Sequence, residues 1–139
     1  MQYRETPFGF FLVLDRGDEI LESIARFATR ASVRAAALSG IGTVDRLTLG
    51  FYDLAQRTYS FQSWEEEMAL SSLTGNIAVV DGGPYPHLHG VFGRRDFGTL
   101  SGHLFGATVS LAVEITVVTA PEALHRHAVE FCDLKLIDL

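Results

Sequence analysis

Three histidines are the residues of this 139-residue sequence best suited to chemistry. His87 and His89 lie in a segment typical of a β-strand, where alternate side chains share one face about 7 Å apart. His103 lies on the next predicted strand, which could pair with the first across the connection 93–98. Three imidazoles on one sheet face suit zinc, with nickel, copper or iron as chemical alternatives. We predict a metal site; the alternative is three separate polar residues that are hydrogen-bonded in a subunit interface.

Three nitrogen ligands would leave a further coordination position for water or an outside ligand, so catalysis is conceivable. Gly90 and Gly102, beside the histidines, would let a ligand or a neighbouring chain approach closely. Glu114 is a charge within an apolar strand, where carboxylates are rare unless paired, protonated or coordinated. It could orient a metal-bound imidazole, act as an acid or base, or form an ion pair at a strand edge or interface. Glu114 is the single catalytic candidate, and the catalytic residues remain unknown.

Two other groups of residues are interpreted as structural. His125 and His127 form a second His-x-His pair, but Pro121 and Glu122 precede it, and residues 121–127 could form one helical turn. We therefore expect an exposed polar connection there. Cys132 is the single cysteine, which excludes a disulfide within the chain, and its apolar surroundings predict a small buried residue.

Composition narrows the class of protein. The length fits one domain, residues 1–139, and the hydrophobic fraction of 47% and charged fraction of 20% are ordinary for a soluble globular protein. No apolar stretch could span a bilayer, and residues 1–6 lack a secretory signal, so we expect a cytoplasmic protein without a membrane partner. The net charge is -6 and the basic residues are scattered, which disfavours DNA binding by the isolated domain.

The hydrophobic pattern predicts one helix followed by many strands. Apolar residues recur every three or four positions over Asp18–Ala31, with acidic residues near the start and basic residues near the end, which indicates an amphipathic helix. This order predicts an α+β fold with a mostly antiparallel sheet. We expect strands at 8–14, 33–38, 47–52, 57–62, 68–73, 76–80, 86–92, 98–105, 108–118 and 129–137, with a turn at 39–42.

Several of these segments, in this order, resemble the PPC family, named for plants and prokaryotes. The resemblance covers roughly residues 8–118. Its motifs are Leu38–Val44, Leu49–Asp53, Ser72–Ile77, Asp81–Gly82, His87–His89, Gly102–Leu104 and the strand around Glu114.

The resemblance implies a compact α+β domain that assembles as a homotrimer, with His87, His89 and His103 as zinc ligands. In land plants the domain is fused to AT-hook segments that bind DNA, and this sequence shows no such segment. DNA binding is therefore not transferred, although members are often labelled DNA-binding. Two positions depart from the family pattern. Ser101 stands where the family pattern has a glycine. Ala69 stands where many members have a carboxylate, so any role of that carboxylate in a reaction or a subunit contact is in doubt for this chain.

The sequence leaves three functions open. The first is a trimeric, zinc-binding module with a regulatory or ligand-sensing role, whose partners are its own copies and a small molecule. The second is a metal-dependent enzyme that acts on a small polar substrate. The third is a DNA-binding regulator that acts without an AT-hook.

Overall fold

The computed structural model describes all 139 residues, Met1–Leu139. It contains no helix with the length and apolar character that crossing a membrane requires. One helix and nine strands follow one another along the chain: β1 Gln2–Thr6, β2 Gly9–Asp15, α1 Ile20–Arg30, β3 Ala36–Asp53, β4 Thr58–Trp64, β5 Met68–Val80, β6 Gly83–Gly93, β7 Thr99–Thr119, β8 His125–Val129 and β9 Leu134–Asp138.

Helix α1 forms where the amphipathic pattern predicts it, one or two residues shorter at each end. Glu19 caps its start, because the side-chain carboxylate accepts a hydrogen bond of 2.7 Å from the backbone N–H of Glu22. Arg30 lies in the last turn, which suits the helix dipole. One stripe of the helix packs into the core with the residues Ile20, Ser23, Ile24, Phe27 and Ala28.

The strands form a mostly antiparallel sheet whose hydrogen-bonded ladder closes on itself. The long strand β3 pairs with β7 and with β5. Strand β6 pairs with β5 on one side and with β7 on the other, which completes the circuit β3–β5–β6–β7. Inward-pointing side chains of these strands form the core with α1. The predicted α+β class, with a mostly antiparallel sheet and one principal helix, is confirmed.

Three predicted breaks in the strand pattern are wrong. The first lies between segments 68–73 and 76–80, which belong to the single strand β5. The segments 33–38 and 47–52 belong mainly to one strand, β3, and the expected turn at 39–42 lies inside it. The pairing of β3 with β5 shifts register between Gly40 and Gly42, so a bulge takes up the glycine-rich sequence without ending the strand. Segments 98–105 and 108–118 likewise form the single strand β7, with a register shift opposite Thr48 and Leu49.

The C-terminal prediction also needs correction. Residues 125–127 form no helical turn, because they begin β8, which pairs with β9 as an antiparallel hairpin. The expected strand 129–137 is interrupted by the turn that contains Cys132, where positive φ is adopted by Asp133. Cys132 is 2% exposed, so its predicted burial is confirmed.

The aromatic contacts of Phe27 tie the helix to the first two strands. Phe27 is fully buried, and its ring centroid lies 5.1 Å from those of both Tyr3 and Phe10 in edge-on arrangements. These contacts add to the apolar area that the helix removes from water.

We expect Phe27→Ala to lower the free energy of unfolding by about 3–5 kcal/mol, because it leaves a cavity between α1 and the sheet. Urea unfolding followed by circular dichroism measures the change. Phe97→Ala is the matched control, since Phe97 is 93% exposed and its loss should change stability little. Equal effects of the two substitutions would contradict this packing.

Candidate metal centre

Strand pairing brings the three predicted histidines together. His89 and His103 are direct partners in the antiparallel pair of β6 and β7. His87 lies two residues before His89 and points to the same face. The ring centroids are 4.8–5.4 Å apart, and one nitrogen of each ring lies within 4.8 Å of the other two. The predicted convergence of the three rings is confirmed.

The nitrogen positions fit a transition-metal ion. Nε2 of His87 lies 3.1 Å from Nδ1 of His103. Two nitrogens bound at about 2.0–2.1 Å to a tetrahedral zinc ion are about 3.3 Å apart, so this pair needs little adjustment. His89 is exposed, and its ring can therefore turn toward the other two. Three imidazoles are a donor set for zinc and its neighbours in the first transition row.

Burial keeps two of the rings neutral. It lowers the pKa of His87 to about 4, and the positive charge of Arg126 and the other two histidines act in the same direction. Burial also lowers the pKa of His103 to about 4, with further contributions from His89 and Arg126. Both rings are therefore uncharged at pH 7, which is the form of histidine that binds metals.

Arg126 is a residue of the site that sequence reasoning missed. One of its terminal nitrogens lies 2.7 Å from Nδ1 of His87 and donates to Oδ1 of Asn76 at 3.0 Å. The other donates to the backbone carbonyl of Lys135 at 3.0 Å. A guanidinium only donates, so His87 accepts at Nδ1 and carries its proton on Nε2, toward His103.

The sequence predicts a turn or a short helix at 121–127, whereas Arg126 lies in strand β8. The prediction that His125 and His127 are exposed is confirmed. Arg126 between them is only 7% exposed, because alternate residues of β8 point to opposite faces. The alternation His-Arg-His-Ala-Val was the signal for a strand, but it was outweighed by the preceding proline.

Aromatic rings border the centre on the side of His103. Its ring centroid lies 4.6 Å from that of Phe105 and 5.8 Å from that of Tyr59 on β4. Gly50, the partner of His103 on β3, leaves room for the Phe105 ring, which would lie 2.4 Å from an added Cβ. Phe105 could have been found by strand alternation from His103. Tyr59 could not, because β4 reaches the centre only through the pairing of β3 with β4.

Gly90 and Gly102 both line the cavity of about 180 Å³ beside His89, which agrees with the close approach expected there. A Cβ on Gly90 would lie 2.5 Å from the ring of Phe92, and one on Gly102 would lie 3.3 Å from the carbonyl oxygen of Gly50. On the inner side of the sheet, the space beside both glycines is therefore filled by the chain itself. The physical reason is alternation, since residues next to outward-pointing histidines point toward the interior.

Glu114 is not beside the histidines within one chain. It is exposed, and it lies next to Val13 and Ile41 on the neighbouring strands. Glu114 lies on β7 and His89 on β6, and in this part of the sheet β3 and β5 lie between them. The two residues are therefore three strand spacings apart, which amounts to about 14 Å. The assumption of a carboxylate buried in an apolar strand is wrong, because the side chain is on the outer face.

Several solved structures share the fold of this chain. A crystal structure of a "putative DNA-binding protein" from Ralstonia eutropha JMP134 has a TM-score of 0.92 and 31% identity, covering 99% of this chain and 95% of that chain. One with the same description from Bacteroides thetaiotaomicron has a TM-score of 0.95 and 28% identity, covering 99% and 96%. A metal-containing protein from Archaeoglobus fulgidus has a TM-score of 0.88 and 30% identity, covering 99% and 97%. None of the curated proteins matches the chain.

A family model defines the class. The model of the Plants and Prokaryotes Conserved (PCC) domain matches residues 1–121, which include all three histidines. The chain belongs to this family, which is the PPC family that the sequence motifs resemble. The hairpin of β8 and β9, which carries Arg126, lies beyond the matched residues.

We expect the metal-free protein to lose stability as the pH falls from about 6.5 to about 4. His87 and His103 have a pKa near 4 in the folded chain, whereas the pKa of an unfolded histidine is near 6.5. Between these values the unfolded chain binds more protons, so acid favours unfolding. Urea titrations at several pH values, after treatment with a chelator, measure the effect. The His103→Gln variant should show a weaker dependence on pH, and an unchanged one would contradict the assignment.

Proposed function

We propose that the protein is a metal-binding module of the PCC-domain family with a regulatory or ligand-sensing role, which we expect in the cytoplasm. His87, His89 and His103 are the proposed ligands, and zinc is the proposed metal. The observation that carries this proposal is the convergence of three ring nitrogens within 4.8 Å of one another. The description of the relative from Archaeoglobus fulgidus as a metal-containing protein adds support.

The chain's own residues prepare the centre for a cation. Pairing of β6 with β7 fixes the backbones of His89 and His103, so little conformational freedom is lost when the rings share a ligand. Burial keeps the rings of His87 and His103 neutral at pH 7. When bound, the ion would supply a Lewis acid with a position open to an outside ligand.

We expect His89→Ala to reduce the metal content of the purified protein from about one ion per chain to a small fraction of that, since two histidines rarely retain zinc. Elemental analysis by mass spectrometry measures the content and identifies the metal. Because His89 is exposed, the substitution should leave the fold intact.

His127→Ala is the matched control for this measurement. His127 is also an exposed strand histidine of a His-x-His pair, but it lies outside the cluster. Its substitution should leave the metal content unchanged. Full metal content in His89→Ala, or an equal loss of metal in both variants, would contradict the proposed site.

The outer face of β2, β3 and β7 supports self-association, and we propose that the module is a homotrimer. Phe11, Val13, Ile41 and Leu111 are all exposed there, although they are large and apolar. They surround Glu114, the only charged residue lining the two depressions on this face. A contiguous apolar patch of this kind is typical of a subunit interface. Glu114 then becomes an interface residue, which was one of the roles expected for it.

We expect light scattering to give a mass of three times the 15.3 kDa of the chain. Ile41→Glu should reduce the mass to that of one chain, because it places a charge in the apolar face. Leu54→Glu is the control, since Leu54 is equally exposed, at 57%, but lies in the turn after β3. A trimer that persists in Ile41→Glu would show that this face is not the interface.

A second candidate function, a metal-dependent enzyme for a small polar substrate, is favoured by the accessibility of the centre. A cavity of about 180 Å³ adjoins His89 and is lined by the hydroxyl groups of Ser72, Thr74 and Ser101. Apart from the proposed ligand His89, no titratable residue lines this cavity, so the enzyme is the second candidate. DNA binding has only the descriptions of two relatives in its favour, and the net charge of -6 opposes it.

A further inference from the structure

Arg126 carries a buried charge that no carboxylate of the chain neutralises. The side chain is 7% exposed, and its hydrogen-bond partners are the neutral groups of His87, Asn76 and Lys135. None of the ion pairs in the structure includes it. The Tyr85 ring, whose centroid lies 6.0 Å from Cζ of Arg126, gives the charge only a cation–π contact at the limit of that interaction. Buried charges are normally paired, because desolvation is otherwise uncompensated. The charge of Arg126 therefore has no counter-ion within the chain, and an anion from outside would supply one.

The guanidinium also has an unused donor. Its Nε is buried and has no hydrogen-bond partner. Buried donors without partners are rare in folded proteins, so this one adds to the uncompensated positive potential of the Arg126 side chain. The observation is independent of the missing ion pair, and it concerns the same side chain.

The groups around the histidines are equally free of negative charge. The elements packed against His87 contribute Asn76 from β5, His103 from β7, and Arg126 from β8. Two acidic residues of or beside the hairpin form ion pairs with other residues, since Asp81 binds Lys135 and Asp133 binds Arg57. A divalent ion bound by the three imidazoles would thus lie near a guanidinium, and none of the ion pairs of the chain would supply a negative charge to Arg126.

We propose that this centre binds a small carboxylate anion as its outside ligand, and that Arg126 provides the positive charge that selects it. The inference rests on the metal centre of the proposed function. Because the ring of His87 stands between the guanidinium and the other two histidines, Arg126 acts mainly through its electric field. Interactions of this kind remain strong at a partly buried site. The hydroxyl groups of Ser72, Thr74 and Ser101, in the cavity beside His89, can hydrogen-bond the carboxylate oxygens.

The electrostatic role makes two predictions of opposite sign for Arg126→Gln. Loss of the positive charge should weaken carboxylate binding roughly tenfold, and it should leave metal affinity equal or higher, because a cation no longer repels the metal. General damage to the site would lower both affinities. Arg126→Lys restores the charge and should bind the anion within about threefold of the wild-type protein.

The test uses the full chain loaded with Co²⁺, whose visible absorption responds to a change of ligand. Acetate is the probe, and acetamide is its neutral counterpart of the same shape. Acetate should give a saturable spectral change in the wild-type protein and in the control Arg57→Gln, whose arginine lies in an exposed ion pair. Acetamide should give none. The change should require roughly tenfold more acetate in Arg126→Gln.

Each other outcome has a definite meaning. If the wild-type protein takes up no Co²⁺, the proposed metal centre fails and this inference fails with it. If Co²⁺ binds but acetate causes no change, or if Arg126→Gln binds acetate as the wild-type protein does, the centre stands and the inference is overturned. If Arg126→Gln does not bind Co²⁺, the test of the charge relies on Arg126→Lys. A weak spectral response of Arg126→Lys to acetate would then contradict the proposed role of the positive charge. If the spectrum changes with protein concentration but not with acetate, the carboxylate comes from a neighbouring copy of the chain. That result would contradict a free small molecule as the ligand.

Discussion

The antiparallel pairing of β6 with β7 is the constraint on which the rest of the centre depends. It makes His89 and His103 direct partners, while Leu88, fully buried between His87 and His89, fixes which face of β6 points inward. A slip of the register by one residue would turn Leu88 to solvent and the histidines into the core. The hydrophobic core therefore holds the polar site in place, although it contributes no ligand to it.

Closure of the ladder extends this constraint. Because β7 pairs with β6 near its start and with β3 along most of its length, His103 has strand neighbours on both sides. Gly50 on β3 makes room for Phe105, and Tyr59 follows from the pairing of β3 with β4. The aromatic border of the centre is thus a consequence of the same sheet topology that brings the histidine rings together.

Electrostatics give the centre a character different from that of the whole protein. The chain carries a net charge of -6, yet the region around His87 contains a buried guanidinium and no carboxylate that binds it. Burial and Arg126 together lower the pKa of His87. The hairpin that carries Arg126 is anchored by the ion pair of Lys135 with Asp81 and by the hydroxyl of Tyr52, which donates to the carbonyl of Cys132. A segment outside the matched family residues therefore sets the charge at the histidine centre.

Local pattern in the sequence was sufficient for the helix, for the inward position of Leu88 and for the shared face of His87 and His89, because these depend on periodicities of 3.6 and 2 residues. The order of family motifs also indicated that His103 would join them. The continuity of β3 and β7 was decided by tertiary structure, since a bulge at Gly40–Gly42 is stabilised only by the strands on either side. The position of Arg126 was decided in the same way. Its contact with His87 joins residues 39 positions apart, and nothing local to residues 125–127 specifies that partner.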